Sequence, residues 1–165
     1  GSQVDLTSIG AGVCVTASRF IDTANYSGSS VFMVTNLTLF KFGGGSRVEN
    51  NIGSFGYLVG NYGQVLIEDA EFVGNKFGFR ALQMNERFLT TMIKNSLFKD
   101  NILDQPGYLL NSETYGSGLW TLDTVRFENN QGGAVSRDDR YSQFLITGCT
   151  FLQNSLTRFD LINST

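Results

Sequence analysis

Hydrophobic and polar positions alternate in a short phrase that recurs along most of this chain. The phrase has an aliphatic residue, a small residue three positions later, a Phe two positions after that and an Asn three positions further on. Its clearest copies begin at Ile67, Ile93, Leu122 and Ile146. Alternation with a period of two is typical of a half-buried β-strand, and repetition every roughly 20–50 residues is typical of a repeat protein. The pattern therefore predicts stacked strands, one set for each copy.

Two weaker copies of the phrase precede these four. The first begins at Val15 and has Thr in place of the Asn; the second begins at Val34 and has Leu39 in place of the Phe. The Phe of each copy, or its replacement, is taken as an anchor: Phe20, Leu39, Phe72, Phe98, Phe127 and Phe151. Because the intervals between anchors differ, we expect one constant edge and loops of variable length, the longest at 42–65 and 101–119.

The fold class that this pattern predicts is all-β, a right-handed parallel β-helix, which is a solenoid of stacked coils. One coil for each anchor gives about six coils. Inward positions are the aliphatic residue and the residue two before it, which in the second copy are Val34 and Phe32. A second apolar stretch follows each Asn, as at 57–59 and 108–110, and predicts a further strand after a bend. An antiparallel sandwich stays open as the alternative, although it needs no common phrase in each repeat.

Equivalent Phe and Asn residues of successive coils are expected to lie above one another as a structural ladder. Asn suits a tight bend because it tolerates left-handed backbone and bonds its own main chain. Stacked amides also bond along the axis. The ladder residues are Phe20, Phe72, Phe98, Phe127, Phe151, Asn75, Asn101, Asn130 and Asn154.

Composition places the chain as one domain over residues 3–165, with 165 residues in all and a net charge of −3. Gly1 and Ser2 look like the remnant of a cloning vector, so we expect the natural chain to extend further. Since solenoids need capped ends, flanking solenoid coils are expected partners and the chain is expected to be a fragment of a longer solenoid. The absence of a basic cluster argues against nucleic acid. No apolar run approaches the ~20 residues of a membrane span, so we expect no membrane insertion by this segment.

Candidate chemistry is sparse. The chain has no histidine, which excludes imidazole mechanisms, and its two cysteines, Cys14 and Cys149, fall in the first and last copies, too far apart for a disulfide or a shared zinc site. We therefore predict no catalytic residue, no metal and no cofactor. The one dense charged cluster is Arg137, Asp138, Asp139 and Arg140. It is either a solvated turn, the usual role of such a sequence, or a carboxylate and arginine site of the kind that holds Ca²⁺.

A column of apolar residues occupies the position just before each aliphatic residue, where the alternation points outward. The column reads Cys14, Met33, Leu66, Met92, Thr121 and Leu145. An exposed apolar stripe usually marks an interface, so Met33, Leu66, Met92 and Leu145 form a candidate partner-contact stripe. The alternatives are that a loop or flanking segment covers the stripe, or that the register of the strands differs.

A family resemblance follows from the segment 127–135, which carries Phe-x-x-Asn and Gly-Gly-Ala in one copy. The combination resembles the repeats of chlamydial polymorphic membrane proteins, and the phrase is also similar to the wider pectin-lyase-like class of β-helices. Gly-Gly-Ala occurs only once here; 79–82 and 107–110 stand in its place elsewhere. The resemblance implies an extracellular autotransporter passenger, displayed on the outer membrane, that adheres to a host-cell surface protein or glycan. It supplies no adhesive residue. The sequons at Asn25, Asn36 and Asn163 are about as frequent as chance predicts and add nothing.

Three functions remain open from the sequence. The first is a non-catalytic cell-surface adhesion or display segment of a larger secreted or autotransported protein. The second is a polysaccharide-binding or polysaccharide-cleaving fragment (a lyase, hydrolase or epimerase), in which exposed tyrosines would stack on sugar rings: Tyr57, Tyr62, Tyr115 and Tyr141. The third is a structural spacer or oligomerisation module, which the apolar stripe would serve.

Overall fold

The regular structure of this chain is made of β-strands. A computed structural model describes residues 4–7, 12–22, 30–78, 80–103, 107–113, 118–138, 143–155 and 159–162. These residues contain no helix, and so none long and apolar enough to cross a membrane. Their strands are β1 (Val4–Thr7), β2 (Gly12–Thr16), β3 (Arg19–Ile21), β4 (Ser30–Glu49), β5 (Ser54–Val73), β6 (Lys76–Phe77), β7 (Arg80–Lys94), β8 (Leu97–Lys99), β9 (Ile102–Leu103), β10 (Tyr108–Glu113), β11 (Leu119–Asp123), β12 (Arg126–Glu128), β13 (Gly133–Asp138), β14 (Gln143–Thr147), β15 (Thr150–Leu152) and β16 (Phe159–Ile162).

Every strand pair among these residues is parallel, and the chain winds as a β-solenoid of about four turns. The all-β parallel solenoid predicted from the repeated phrase is confirmed, and the antiparallel sandwich is wrong. Strands β4 and β5 are each 20 residues long and continue around the bends, where the ladder between them shifts register. The pairing between these two strands therefore continues through bends at which the sequence predicts separate strands.

Three stacks of strands run along the solenoid axis. Stack I contains β1, β10, β13, β16 and the first parts of β4, β5 and β7. Stack II contains β2, β11, β14, the middle of β4 and β5 and the end of β7. Stack III contains β3, β8, β12, β15 and the ends of β4 and β5. The repeated phrase of the sequence covers stacks II and III, and the second apolar stretch forms stack I.

Two corners keep the same backbone conformation from turn to turn. Corner A joins stack II to stack III, and corner B follows stack III. Each passage of the chain through corner A has one residue with φ between 48° and 61°: Ala17, Gly44, Asp69, Asn95, Thr124 and Gly148. In the passage with Gly44, which contains an insertion, Gly43 and Gly45 also have positive φ. Corner B has one residue with φ between 51° and 64°: Asp22, Asn50, Gly74, Asp100, Asn129 and Gln153. Left-handed backbone suits Gly, Asn and Asp best, which explains most of these residue types.

The core is a column of rings and aliphatic side chains enclosed by the three stacks. Phe72, Phe98 and Phe127 are each about 1 % exposed and pair with one another in register across stack III. Phe151 continues the column, partly buried. In stack II the inward column holds Val13, Phe40, Val65, Thr91, Trp120 and Phe144.

The second copy of the phrase differs from the prediction. Phe20 and Phe72 both pair in register with Val48, so Val48, not Leu39, is the anchor of that turn. Leu39 instead lies outward in stack II, 38 % exposed. Phe32 and Val34 are buried as predicted but in stack I rather than stack II. The physical reason is an insertion at corner A, Gly43–Gly45, which breaks the spacing of the true copy.

The prediction of long loops at 42–65 and 101–119 also needs correction. Most of 42–65 belongs to β4 and β5, and 101–119 contains β9 and β10. Residues 104–106 and 114–117, which connect these strands within 101–119, lie outside the described residues.

Candidate functional site

An amide ladder runs along the inside of corner B. Asn101, which is fully buried, donates from its backbone N to Asn130 Oδ1 at 3.1 Å, and its Nδ2 donates to the same oxygen and to Phe72 O, each at 2.9 Å. Its own Oδ1 accepts from the backbone N and the Nδ2 of Asn75. Every polar atom of the Asn101 side chain is thus used within the ladder, which makes the ladder a structural element rather than a reactive one.

The same bonds recur at the neighbouring turns and include one residue that the phrase did not identify. Asn75, Asn130 and Asn154 have the predicted places, and Asn51, 2 % exposed, is the member that was missed. Asn51 donates to Phe20 O at 2.9 Å. The signal was present in the sequence, because Asn51 follows Val48 by three positions, the Phe-to-Asn spacing of the four clear copies.

The candidate stripe is only partly continuous. Leu66, Met92 and Leu145 share one outward column of stack II with Thr121 between the last two, but the second turn contributes Lys41 to this column. Met33 lies in stack I opposite Tyr57, so it does not belong to the stripe. The outward neighbours Leu39 and Leu119 were missed. We define the apolar strip as Leu39, Leu66, Met92, Leu119 and Leu145, of which all but Leu66 are 38–53 % exposed.

The charged cluster is only partly within the described chain. Arg137 and Asp138 lie at the end of β13, where they pair with β16, and Asp139 and Arg140 fall outside the described residues. Of the sequons, Asn36 lies in β4, and Asn25 and Asn163 fall outside the described residues. Tyr57 and Tyr62 lie in β5, and the other two candidate tyrosines also fall outside.

Metal-binding and disulfide chemistry find little support in the described part of the chain. No three His, Cys, Asp or Glu side chains of the described residues come together as a cation site. Cys14 is an exposed free thiol, and Cys149 is a free, half-buried thiol packed against the core. Cys149 therefore acts as a small apolar residue at the edge of the core.

The outer side of stack III is a ladder of ion pairs. Arg47 Nη2 donates to Glu49 Oε1 at 3.2 Å, and Arg47 Nη1 lies 3.3 Å from Glu71 Oε2 in the next turn. Further along the axis, Glu128 pairs with Arg126 and lies 3.9 Å from Lys99. Pairs at this level of exposure contribute little stability each, but Arg47–Glu71 and Lys99–Glu128 join neighbouring turns.

The outer side of stack II has one well-formed pair, Lys94 and Glu68. The Lys94 Nζ lies 2.8 Å from Glu68 Oε1. The hydrogen bond that Lys94 donates to Glu68 and the charge of that carboxylate raise the pKa of Lys94, and Asp123 and Asp69 raise it further. This pair lies next to the apolar strip, on the same outer side of stack II.

A polar groove of about 320 Å³ lies on the outside of corner A. It extends along the axis from Gly45 in one turn to Arg126 three turns further on. Its lining residues are Gly45, Asp69, Ala70, Glu71, Asn95, Ser96, Leu97 and Arg126. Nothing in the phrase indicates this groove, because it depends on residues of four separate turns.

Comparison with protein-family models, with curated proteins and with solved structures finds no match for this chain. The resemblance to the chlamydial repeats therefore stands on the sequence phrase alone.

Proposed function

We propose that this chain is a non-catalytic display segment of a right-handed parallel β-helix, which projects from a cell surface and binds a host-cell protein or glycan. The observation that carries the proposal is the amide ladder from Asn51 to Asn154, in which side-chain amides bond from turn to turn. This ladder uses the interior polar groups for rigidity. The outer sides of the stacks and the variable connections are left for recognition.

Six coils and a right-handed course are the finer part of the proposal. Strands β1–β3 at one end and β13–β15 at the other stack in register on the turns between them, and counting these end strands as coils gives the number proposed. A right-handed course is supported by the general rule that about 98 % of parallel crossover connections are right-handed. Crystallography of the chain at side-chain resolution tests both.

Flanking coils are proposed as neighbours of this segment. Support comes from Asn154, whose backbone N and second amide hydrogen find no acceptor among the described residues, although the equivalent groups of Asn130 bond to Asn154. Strands β14 and β15 pair on one side only within the described chain. Another turn with an Asn or Asp oxygen at corner B would complete both arrangements.

The cellular location, extracellular and displayed on an outer membrane, is proposed from the resemblance of the repeats. The experiment that tests the function is saturable binding of the fluorescently labelled chain to cultured epithelial cells, with competition by unlabelled chain. The matched control is the same chain after heat denaturation, which removes the fold but not the composition. Equal binding by the intact and unfolded chains would contradict the proposal. Release of new sugar ends from any polysaccharide would overturn its non-catalytic part.

The apolar strip favours a second candidate, an oligomerisation or spacer module. Met92 and Leu145 are 39 % and 53 % exposed on the outer side of stack II, and apolar side chains gain free energy when an interface covers them. Light scattering of the chain and of Met92→Lys separates the candidates. A mass that falls to that of the monomer in the variant supports association, and a monomeric parent chain excludes it.

A further inference from the structure

We propose that the groove on corner A binds a neutral oligosaccharide that lies along the solenoid axis, with hydroxyl groups held by Asp69, Asn95, Glu71 and Arg126. This inference rests on the proposed function and deepens it, since it assigns the glycan and the contact residues. The groove volume of about 320 Å³ is at the lower end of the range for ligand sites in proteins, about 300–1,000 Å³.

The concave shape follows from small residues behind a polar rim. Ala70 and Ser96, both buried, form the floor, and Gly45 opens one end. The floor is already satisfied, because the backbone N of Ala70 donates to Ser96 Oγ at 3.3 Å and Ser96 Oγ donates to Lys94 O at 2.8 Å. A ligand therefore meets its polar partners at the rim and not at the floor.

The rim provides two unused side chains and two that are held in place. Asp69 and Asn95 make no side-chain hydrogen bond or ion pair to other described residues, and both are exposed on left-handed backbone that points them outward. Glu71 and Arg126 are positioned by ion pairs with Arg47 and Glu128. A carboxylate has about four acceptor sites and a guanidinium five N–H donors, so each retains capacity for a ligand.

Planar polar groups of this kind suit neighbouring hydroxyl groups of a sugar. Two carboxylates accept from hydroxyls, Arg126 donates to them, and the amide of Asn95 does both. With Asp69 and Glu71 against Arg126, the net charge of the lining is −1, which disfavours uronic and sialic acids and favours neutral sugars. A cationic peptide would also suit that charge, but it would bind more favourably to a cluster of unpaired carboxylates than to a groove that contains Arg126.

The direction of the ligand follows from the rung spacing. Successive turns rise by ~4.8 Å, about the length that one pyranose ring and its glycosidic oxygen add to an extended chain. A linear oligosaccharide along the axis thus presents one sugar residue to each turn, first to Asp69 and Glu71 and next to Asn95. The lining contains no aromatic ring, so we expect weak binding, on the order of 1 mM.

The test is titration of the isotope-labelled full chain with chitotriose, maltotriose and, as the anionic counterpart, trigalacturonate, followed by amide chemical shifts. The expected result is a saturable shift confined to 69–71, 95–97 and 126 with a neutral sugar, and at least about tenfold weaker binding of trigalacturonate. The variants Asp69→Gly and Asn95→Gly each weaken binding about tenfold. Glycine accepts the positive φ of both sites, so the fold is kept. The matched control is Asp100→Gly, the same change at φ 54° on corner B, which leaves binding unchanged.

Three results would overturn the groove assignment: no saturable shift with either neutral sugar, unchanged affinity in Asp69→Gly, or equal binding of trigalacturonate. Its failure is distinguishable from failure of the display function. Cell binding that survives Asp69→Gly removes the groove and keeps the display function. Oligosaccharide binding that Asp69→Gly abolishes, in a chain that binds no cell, keeps the groove and removes the host-cell role.

Discussion

Phe72 and Phe98 stack in parallel, with ring centroids 4.6 Å apart and planes 1° from parallel. Phe127 and Phe151 continue the stack at 5.1 Å for each step. These centroid distances fall within the range of favourable aromatic pairs. The parallel arrangement is imposed by the register of stack III, which places equivalent residues directly opposite one another at the strand spacing. The rings therefore stabilise the fold mainly by burial.

Removal of one ring should open a cavity that neighbouring turns cannot fill. We expect Phe98→Ala to lower the free energy of unfolding by about 3–5 kcal/mol, measured by urea denaturation. The control is Leu97→Ala, the adjacent half-buried residue on the outer side, for which surface substitutions predict a loss below about 1 kcal/mol. Similar losses for the two variants would show that the Phe column does not form the core.

Substitution of a single Asn of the amide ladder should lower the free energy of unfolding substantially. Asn101→Ala leaves the backbone N and the amide of Asn75 and the carbonyl of Phe72 without partners in a buried site. Unpaired buried groups cost about 1–3 kcal/mol each, so we expect a loss of at least about 3 kcal/mol by the same denaturation assay. Asn129→Gly, at the exposed corner position next to Asn130, is the control and should lose less than about 1 kcal/mol. Equal free energies of unfolding for Asn101→Ala and Asn129→Gly would show that the ladder does not stabilise the fold.

The backbone conformation at position 124 should be unfavourable for a threonine. It is β-branched and has φ of 56°, where side chains other than Gly, Asn and Asp are strained by about 1–2 kcal/mol. We expect Thr124→Gly to raise the melting temperature, with a gain of about 1 kcal/mol after the flexibility of glycine is counted. The reverse change, Gly148→Thr at the equivalent position of the next turn, should lower it, because φ there is 61°. A loss in Thr124→Gly would contradict this account of corner A.

The Lys94–Glu68 pair should make stability depend on alkaline pH. Because the carboxylate of Glu68 raises the pKa of Lys94 in the folded state, its contribution is full below the ordinary lysine pKa of about 10.4 and is lost as pH rises through the higher folded value. We expect Lys94→Gln and Glu68→Gln to flatten the same alkaline part of the stability curve. Chemical denaturation at a series of pH values from about 9 to 12 measures it. If the free energy of unfolding depends on pH in the same way in the parent and in both variants, the Lys94–Glu68 pair is not the cause of the alkaline dependence.

The sequence predicts the solenoid well where the phrase keeps both its Phe and its Asn, since these residues specify stack III and corner B together. The second turn was assigned wrongly because Val34 and Leu39 mimic the phrase, whereas the true copy has Val48 and an inserted residue at corner A. Alternation alone does not tell one stack from another, because all strands share a period of two. Phe55 lies edge to face with the two Phe residues that flank Val48 in stack III, its ring centroid 6.4 Å from that of Phe20 and 5.1 Å from that of Phe72, and no local pattern reveals these contacts.

The candidate site was less predictable than the fold. Met33 was placed in the stripe by the same misassignment, and Leu39 and Leu119 were missed because they belong to a second outward column. The groove on corner A depends on polar residues with positive φ followed by small ones, as in Asp69-Ala70 and Asn95-Ser96. That dipeptide is a usable signal, but only after the turns have been aligned.

The constancy of corners A and B has an evolutionary consequence. Each turn bonds only to the turns beside it, so duplication or loss of a gene segment that encodes one whole turn would lengthen or shorten the rod without disturbing the rest. The extra residue at corner A between Gly43 and Ser46 shows that a single passage of the chain also accommodates a small insertion while the stacks on either side keep their pairing. Lineages of such a protein should therefore diverge in reach while their cross-section stays the same.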